Sequence, residues 1–513
     1  MKSIPHYIEP QAKIFRMAAI ALTMLTGSFA GAVLPAQAQT FTSLYSFQGG
    51  NNHDGSYPNG LVQGTNGYLY GSTASNTGGI FKISTDGKET PLYNFDTGEG
   101  DPDGEGSWAG LILASNGSFY GTSQGNSGGC SGPNGTCGVF YKITAKGKLT
   151  ILYDFCSNNP NGECLDGTTT ESALVQASNG DFYGTNNVYG ANGAGTIFKI
   201  TPGGKLTTLH AFCSTRTQNN YCADGEPPYS ALVQGNDGNL YGTTTFGGDN
   251  NEGTIFSITL SGKFTTLHNV GDSGDLGENP RAALVVGADG NFYGTTALGG
   301  VSTYCAGNCG TFFKMTPGGT LTTLYSFCSL QNCADGAAPQ TLILAGDGNF
   351  YGMTGSGGTD SYGTLFQITP TGGLTTLHSF DGTDGVVTYG SYPGPMLIQA
   401  TSGTFYGTTV EGGAGWPNQC NGCNGTAFSL AMGLSPFVKT LPASGKVGAA
   451  VKILGTNLKG ATMVTFNGTP AVFKVVSGGS EITTKVPVGA TTGLVQVTTP
   501  AGTLSSNVFF QVP

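Results

Sequence analysis

The sequence predicts an all-β protein, in which a closed seven-bladed β-propeller is followed by an immunoglobulin-like β-sandwich. The first observation is a Tyr-Gly motif whose seven copies are spaced by 50, 63, 58, 52, 58 and 55 residues. The copies begin at Tyr70, Tyr120, Tyr183, Tyr241, Tyr293, Tyr351 and Tyr406. A period of this length is typical of propeller blades rather than of helical repeats. The 87 glycines, without a triplet period, indicate many tight turns.

The third repeat shows the order of strands within one unit. Residues 173–176 form a short apolar strand, Asn179-Gly180 a two-residue turn and residues 182–185 a second strand. After a Gly-rich loop, residues 196–200 and 206–212 form the third and fourth strands. Asn-Gly between short β runs is a strong hairpin signal because both residues must take positive φ. Four antiparallel strands with apolar residues on both faces must stack against neighbouring sheets, as blades do.

The two ends of the repeat region hold unmatched strands, and this is the second observation. Residues 42–47 read as a fourth strand without its first three, whereas the last repeat lacks a fourth strand after Phe428. Pairing these ends would complete a seventh blade and remove two exposed strand edges. We therefore expect the propeller to span residues 39–432 and to be closed by its own N-terminal strand.

The third observation is that the Tyr-Gly motif is absent from residues 433–513. Short alternating strands replace it, and Gly, Pro and Asn separate them, which favours a small immunoglobulin-like sandwich. The segments Ile453-Leu454-Gly455-Thr456-Asn457-Leu458 and Val464-Thr465-Phe466-Asn467-Gly468 closely resemble the IPT/TIG family. The resemblance implies an early-set immunoglobulin fold. In secreted bacterial proteins it implies a spacer or interaction unit without catalysis.

The repeats have a resemblance of their own. Tyr-Gly-Thr-Thr followed by Gly-Gly, then residues 195–202 and Leu206-Thr207-Thr208-Leu209, are similar to the GloVer tandem repeats of bacterial extracellular proteins. Such proteins are often described as choice-of-anchor proteins. The resemblance covers residues 41–430 and implies an extracellular location, but it brings no known activity with it.

The N-terminus predicts a signal peptide over residues 1–38. Lys13 and Arg16 precede an apolar run that is interrupted by Thr and Gly, and Ala36-Gln37-Ala38 offers the small residues that a signal peptidase reads. Cleavage would leave 17 of the 20 basic and 29 of the 30 acidic residues, a net charge of −12. This balance argues against nucleic acid as a partner. We expect a monomer without a membrane span after cleavage, secreted or at the cell surface, with the periplasm as an alternative.

The twelve cysteines fall into six close pairs. They are Cys130 and Cys137, Cys156 and Cys164, Cys213 and Cys222, Cys305 and Cys309, Cys328 and Cys333, and Cys420 and Cys423. Locally paired cysteines behind an export signal indicate disulfides formed in an oxidising compartment. Zinc is the alternative for Cys420-Asn421-Gly422-Cys423, but no second such pair and no nearby histidine completes a four-ligand set.

The candidate binding residues lie on one side of the predicted propeller. In each blade the two short turns lie at one end, here called the turn side. The loops joining strands two and three, and those leading to the next blade, lie at the other end, called the loop side. All six cysteine pairs fall in these loops, together with many acids and both tryptophans. The predicted binding residues are Asp54, Asp103, Asp166, Asp224, Asp335, Asp384, Trp108 and Trp416. The alternative reading is that Asp-Gly is simply favourable turn chemistry.

Metal binding and catalysis find less support in the sequence. No cofactor is predicted, and calcium is the one metal with candidate ligands, at Asp101 and Asp103 and at Asp381 and Asp384. No catalytic residue is selected. His210, His268 and His378 stand at a fourth-strand position that other repeats fill with Tyr45, Tyr93, Tyr153 and Tyr325, so we expect them to pack.

These patterns predict a non-catalytic binding or scaffold protein. It would present an acidic, disulfide-fastened propeller face to an extracellular polymer, a glycan or a protein. The alternative is an extracellular polysaccharide hydrolase or lyase that uses carboxylates of the central funnel, where paired acids from separate blades could meet. The sequence leaves the question of enzymatic activity open.

Overall fold

A computed structural model describes most of the chain after residue 38. The described residues are 39–49, 54–74, 78–95, 103–104, 106–125, 137–157, 164–168, 170–272, 277–302, 304–305, 309–387, 397–415, 424–476 and 478–512. The predicted signal peptide therefore lies outside them. Residues 39–513 form one compact unit. Among the described residues, no helix combines the length and hydropathy needed to cross a membrane.

The repeat region folds into seven antiparallel sheets within the described residues, and strand β1 (Thr40–Ser46) precedes the first of them. The first sheet contains β2 (Pro58–Gln63), β3 (Leu69–Thr73), β4 (Gly79–Ile83) and β5 (Glu89–Asn94). The second contains β6 (Ile112–Leu113), β7 (Phe119–Gly125), β8 (Cys137–Ile143) and β9 (Leu149–Asp154). The third contains β10 (Val175–Gln176), β11 (Phe182–Asn186), β12 (Thr196–Ile200) and β13 (Leu206–Ala211).

The remaining four sheets repeat this order. The fourth contains β14 (Val233–Gln234), β15 (Leu240–Thr244), β16 (Thr254–Ile258) and β17 (Phe264–Asn269). The fifth contains β18 (Gly277–Pro280), β19 (Val285–Val286), β20 (Phe292–Gly299), β21 (Thr311–Met315) and β22 (Leu321–Ser326), and a short 3-10 turn (Gln331–Cys333) follows it. The sixth contains β23 (Ala337–Leu344), β24 (Phe350–Ser356), β25 (Thr364–Ile368) and β26 (Leu374–Ser379). The seventh contains β27 (Leu397–Gln399), β28 (Phe405–Thr409), β29 (Thr426–Ala431) and the N-terminal β1.

Close packing within and between sheets explains the Tyr-Gly motif. A Cβ atom on Gly184 would lie 2.6 Å from Phe198 Cζ, because the phenyl ring of the third strand covers the glycine of the second. Gly294 and Gly407 lie equally close to Phe313 and Phe428. The motif tyrosine packs, with its ring tilted, against a phenylalanine of the next sheet. Examples are Tyr120 on Phe182, with ring centroids 4.4 Å apart, and Tyr351 on Phe405, with centroids 4.3 Å apart. Each copy of the motif therefore joins two neighbouring sheets.

The N-terminal strand completes the seventh sheet. β1 pairs antiparallel with β29, from Thr40 opposite Ala431 to Ser46 opposite Thr426. One apolar cluster contains residues from both ends of the repeat region, among them Phe47 and Leu69 with Tyr406. The first and seventh sheets thus pack against each other.

The C-terminal residues form two further sheets. One contains β30 (Val438–Leu441), β31 (Ala450–Gly455), β34 (Phe473–Val475) and β35 (Glu481–Lys485). The other contains β32 (Met463–Phe466), β33 (Thr469–Pro470), β36 (Val495–Thr499) and β37 (Gly502–Ser505). Aliphatic residues alternate along these strands, and the inward set, with Val451, Ile453 and Val497 among its members, forms one buried core.

The C-terminal sheets contact the turn side of the repeat region. Ser480 Oγ donates to Thr65 O (2.6 Å), and Asn507 Nδ2 donates to Leu344 O (3.3 Å). Lys439 Nζ donates to Gln399 O (2.8 Å), and burial lowers the pKa of Lys439 to about 8. Leu344 and Gln399 end the edge strands β23 and β27, and Thr65 follows the edge strand β2, so the C-terminal part contacts the turn side of three different sheets. These edge strands, which come first in each sheet, are called the inner strands below.

Candidate functional site

The predicted site aspartates accept hydrogen bonds from the tyrosine or histidine of the preceding fourth strand. Tyr45 donates to Asp54 (2.8 Å), Tyr93 to Asp103, Tyr153 to Asp166 (2.8 Å) and Tyr325 to Asp335 (2.6 Å). His210 Nε2 lies 2.9 Å from Asp224 Oδ2, and His378 Nε2 lies 2.6 Å from Asp384 Oδ2. Burial and then the adjacent carboxylate raise the pKa of the tyrosine hydroxyl at Tyr45, Tyr153 and Tyr325. The histidines therefore occupy the same structural position as the tyrosines.

The same carboxylates also bind the backbone of the loop that leads to the next sheet. Asp335 accepts from Ser329 N (2.9 Å) and Leu330 N (3.1 Å), and Asp224 accepts from Cys213 N (2.8 Å). Asp54, Asp103, Asp224 and Asp335 are buried, while Asp166 and Asp384 are partly buried. These positions give the aspartates a structural role beneath the loops, and ligand binding by them stays a prediction.

The other predicted binding and metal residues are more scattered. Trp108 is half-buried just before the inner strand of the second sheet, whereas Trp416 and Asp101 lie outside the described residues. Asp381 is exposed, and its Oδ1 accepts from Thr383 N (2.8 Å) and Asp384 N (3.2 Å). Within the described residues, the groups close enough to share a metal ion are built on disulfide cysteines. Calcium binding remains a prediction.

Four predicted disulfides are formed on the loop side. They join Cys156 to Cys164, Cys213 to Cys222, Cys305 to Cys309 and Cys328 to Cys333. Cys137 is disulfide-bonded as well, and its predicted partner Cys130 lies outside the described residues, as do Cys420 and Cys423. The bonded pairs restrain the loops at the ends of several sheets.

A polar cluster that the sequence analysis did not select lies on the same side. The Asn187 side chain acts on the Glu171 carboxyl and on the Tyr229 hydroxyl, and it lowers the pKa of each group against the effect of burial. Glu171 and Arg281 act on the Tyr229 hydroxyl in opposite directions, since the carboxylate raises and the guanidinium lowers the pKa of that hydroxyl. Asn187 is only 7% exposed, yet its Oδ1 has no hydrogen-bond partner among the described residues. A buried acceptor without a partner is a position at which a ligand or water donor is expected.

Three members of this cluster share one position in the repeat. Glu171, Tyr229 and Arg281 each stand three residues before a leucine, at Leu174, Leu232 and Leu284, and Trp108 stands three residues before Leu111. Each of these leucines comes directly before a short strand, namely β6, β10, β14 or β19. The position therefore brings one variable side chain per sheet to the loop-side end of its inner strand. Alignment of the repeats on these leucines is the sequence signal that could have found them.

A cavity of about 420 Å³ adjoins the cluster. Asn187, Glu226, Phe246 and Asn251 line it together with Gly193, Ala194 and Pro227. Phe246 is 38% exposed, and backbone hydrogen bonds in both directions hold it beside Glu226. An exposed ring beside a carboxylate and two amides is the combination with which proteins stack on and hydrogen-bond to sugars.

Glu171 should make the stability of the protein depend on pH. Burial raises its pKa from 4.5 to about 7, against the opposing effect of the Asn187 hydrogen bond. Because the folded protein disfavours the charged form, the stabilisation is complete below pH 4.5 and is lost as the pH rises to about 7. We expect Glu171→Gln and the wild type to have the same free energy of unfolding near pH 4.5. At pH 8 we expect the variant to be the more stable of the two. If the stability of both proteins depended on pH in the same way, the raised pKa of Glu171 would be contradicted.

Together, the four-stranded repeats and local disulfides define an exported all-β repeat protein. The chain belongs to the Gloeobacter/Verrucomicrobia repeat family, whose profile matches residues 26–224 and 216–422. The profile of the IPT/TIG domain matches residues 435–512. The two matches confirm the two resemblances seen in the sequence, that of the repeats and that of the C-terminal domain.

Comparison with curated proteins finds no match. Among solved structures, a catalytically inactive virginiamycin B lyase from Staphylococcus aureus with quinupristin is 14% identical. The match covers 77% of this chain and 99% of the lyase, with a TM-score of 0.46. A fungal alcohol oxidase in complex with copper is 13% identical. That match covers 92% of this chain and 99% of the oxidase chain, with a TM-score of 0.47. Similarity this remote says nothing about activity.

Proposed function

We propose that this protein is a secreted or cell-surface binding protein that holds a glycan on the loop side of a closed seven-bladed β-propeller. The main support for a glycan ligand is the buried Asn187 Oδ1, which has no hydrogen-bond partner among the described residues. It lies beside a cavity lined by Glu226, Phe246 and Asn251. Sugar hydroxyls can donate to such an oxygen, while the face of the sugar stacks on the exposed ring.

Contacts between the two ends of the repeat region support a closed ring. Besides the pairing of β1 with β29, Gln63 Oε1 accepts from Thr401 N (2.9 Å). The same kind of bond links neighbouring sheets elsewhere, since Gln176 accepts from Ser115 N (2.9 Å) and Gln234 from Ser178 N (3.0 Å). The seventh sheet thus contacts the first as other sheets contact their neighbours. In this proposal the propeller spans residues 39–432, the C-terminal domain spans residues 433–513, and residues 1–38 are a cleaved signal.

The position of the C-terminal domain also supports binding on the loop side. Its contacts with Thr65, Leu344 and Gln399 cover the turn-side ends of the inner strands. These contacts leave the described residues of the loop side uncovered by the C-terminal domain. The disulfides hold the loops there in place, so that little conformational entropy is lost on binding.

A glycan array tests this proposal. The chain from Gln39 to Pro513 is applied with and without EDTA, so that a calcium requirement appears as lost binding. For the best ligand, we expect Asn187→Ala and Phe246→Ala each to weaken affinity about tenfold or more, equivalent to ~1.4 kcal/mol. Asp360→Ala, on an exposed loop, serves as the matched control and should leave affinity unchanged. Absence of any glycan ligand, or equal affinity in all three variants, would contradict the proposal.

Catalysis at the same cluster is the second candidate, and Glu171 is the observation that favours it. A carboxyl group whose burial raises its pKa to about 7 can hold a proton for a leaving group near neutral pH. Incubation of the array ligand with the protein separates the two functions. Products that form with the wild type but not with Glu171→Gln, at unchanged affinity, would establish an enzyme.

A further inference from the structure

We propose that the space between the inner strands of the third to sixth sheets and the C-terminal domain binds an uncharged, mainly apolar small molecule. A cavity of about 500 Å³ lies there, on the turn side and away from the polar cluster. Ligand pockets of this size are common at domain interfaces. This site is independent of the glycan site.

Aliphatic side chains from both domains form the walls. Four successive sheets of the propeller contribute Val175, Val233, Val285 and Ile343. The C-terminal domain contributes Leu494, Val508 and Phe509. The described residues that line the cavity include no charged side chain, so an ion or a charged sugar would lose its hydration there without a compensating partner.

The way in which the C-terminal domain is attached explains why this space is left open. On one side Leu454 is buried in the apolar cluster that the first and second sheets share, which also contains Tyr70 and Leu113. On the other side the contacts are polar, because Gln511 Nε2 donates to Asn236 Oδ1 (2.6 Å) and Ser444 Oγ donates to Gln234 Oε1 (3.4 Å). Between these two attachments the inner strands and the domain do not close on each other.

The exposure of two lining residues shows that the protein itself does not fill the cavity. Val508 is 38% exposed and Phe509 is 40% exposed, although both lie beside a domain contact. The amides at the rim are largely engaged, since Asn236 and Gln511 bind each other and Asn507 Nδ2 donates to Leu344 O. Water gains few hydrogen bonds from such walls, whereas an apolar molecule gains contact with every wall residue. The ligand is therefore a compact neutral molecule with an apolar body.

Titration with the uncharged fluorophore N-phenyl-1-naphthylamine tests this site. We expect a saturable rise in fluorescence with one molecule bound per chain of residues 39–513. Val508→Asp should weaken binding about tenfold or more, because it places a charge in the apolar cavity. Val488→Asp, the same change at an 87% exposed position of the same domain, should bind as the wild type does.

A second variant tests the cavity independently, in case Val508→Asp does not fold. Val233→Phe fills part of the cavity from the propeller wall and should also weaken binding about tenfold, at a melting temperature close to that of the wild type. Failure of the wild type to bind the fluorophore would overturn the proposal. So would wild-type affinity in either of the two lining variants when that variant is folded.

Discussion

Deletion of residues 39–47 lowers the melting temperature by about 10 °C or more, because it removes the outer strand of the seventh sheet. The deletion exposes the edge of β29 along the pairing from Thr40 to Ser46. It also removes Phe41, which stacks on His378 with ring centroids 3.7 Å apart, and Phe47, which is only 3% exposed. Loss of one buried phenylalanine side chain alone costs about 3–5 kcal/mol. Differential scanning calorimetry of the chain beginning at Gln48 measures the effect.

Point variants separate the packing of this strand from its backbone pairing. Phe47→Ala should lower the free energy of unfolding by about 3 kcal/mol. This is at least about half of the loss expected from the deletion. Phe246→Ala, the same substitution at a 38% exposed ring, is the matched control and should change stability little. An unchanged melting temperature after the deletion would show that the stability of the repeat region does not depend on the pairing of β1 with β29.

Asp335→Ala should give the second large loss, about 3 kcal/mol of unfolding free energy, because it leaves buried donors without an acceptor. Asp335 is fully buried and accepts from Tyr325 Oη (2.6 Å), Ser329 N (2.9 Å) and Leu330 N (3.1 Å). Because a methyl group replaces the carboxylate, the backbone amides of Ser329 and Leu330 lose the acceptor that they have in the wild type. Chemical denaturation followed by tyrosine fluorescence measures the change.

Two comparisons make this experiment specific. Asp360→Ala removes a carboxylate from an exposed loop of the same sheet and should stay within about 0.5 kcal/mol of the wild type. Tyr325→Phe removes one donor but leaves the amides paired, so its loss should be smaller than that of Asp335→Ala. Equal stability of Asp335→Ala and the wild type would contradict a structural role and would leave ligand binding as the function of this aspartate.

The repeat pattern was sufficient to predict the strands and their order. Turn pairs such as Asn179-Gly180 act within a few residues. The structure has a four-stranded sheet at six of the seven Tyr-Gly copies and a five-stranded sheet at Tyr293. The sequence also predicted the partner of the strand around Leu44. The repeat region has one extra fourth strand at its N-terminal end, and its last repeat lacks a fourth strand. Four of the predicted cysteine pairs are confirmed within the described residues, and short loops explain why they could be predicted: such a loop brings Cys213 and Cys222 together without help from the rest of the fold.

The candidate site was less predictable. The sequence showed that His210 and His378 take the place of tyrosines, but it did not connect either residue to its aspartate. Abundance of acids on the loop side suggested an open ring of carboxylates, whereas the loop backbone and the fourth strand enclose several of them. Glu171 and Arg281 went unnoticed because they share only a position before an inner strand, while their residue types differ from sheet to sheet.

Local chemistry in the sequence therefore determined which segments are strands, where they turn, which cysteines join and which family the chain belongs to. Only the tertiary structure decided that Asn187 is buried beside Glu171 and Tyr229, that the C-terminal domain covers the turn side and that a cavity lies beneath it. The reason is physical: hairpins and short disulfide loops depend on neighbouring residues, whereas burial and cavities depend on how whole sheets and domains pack.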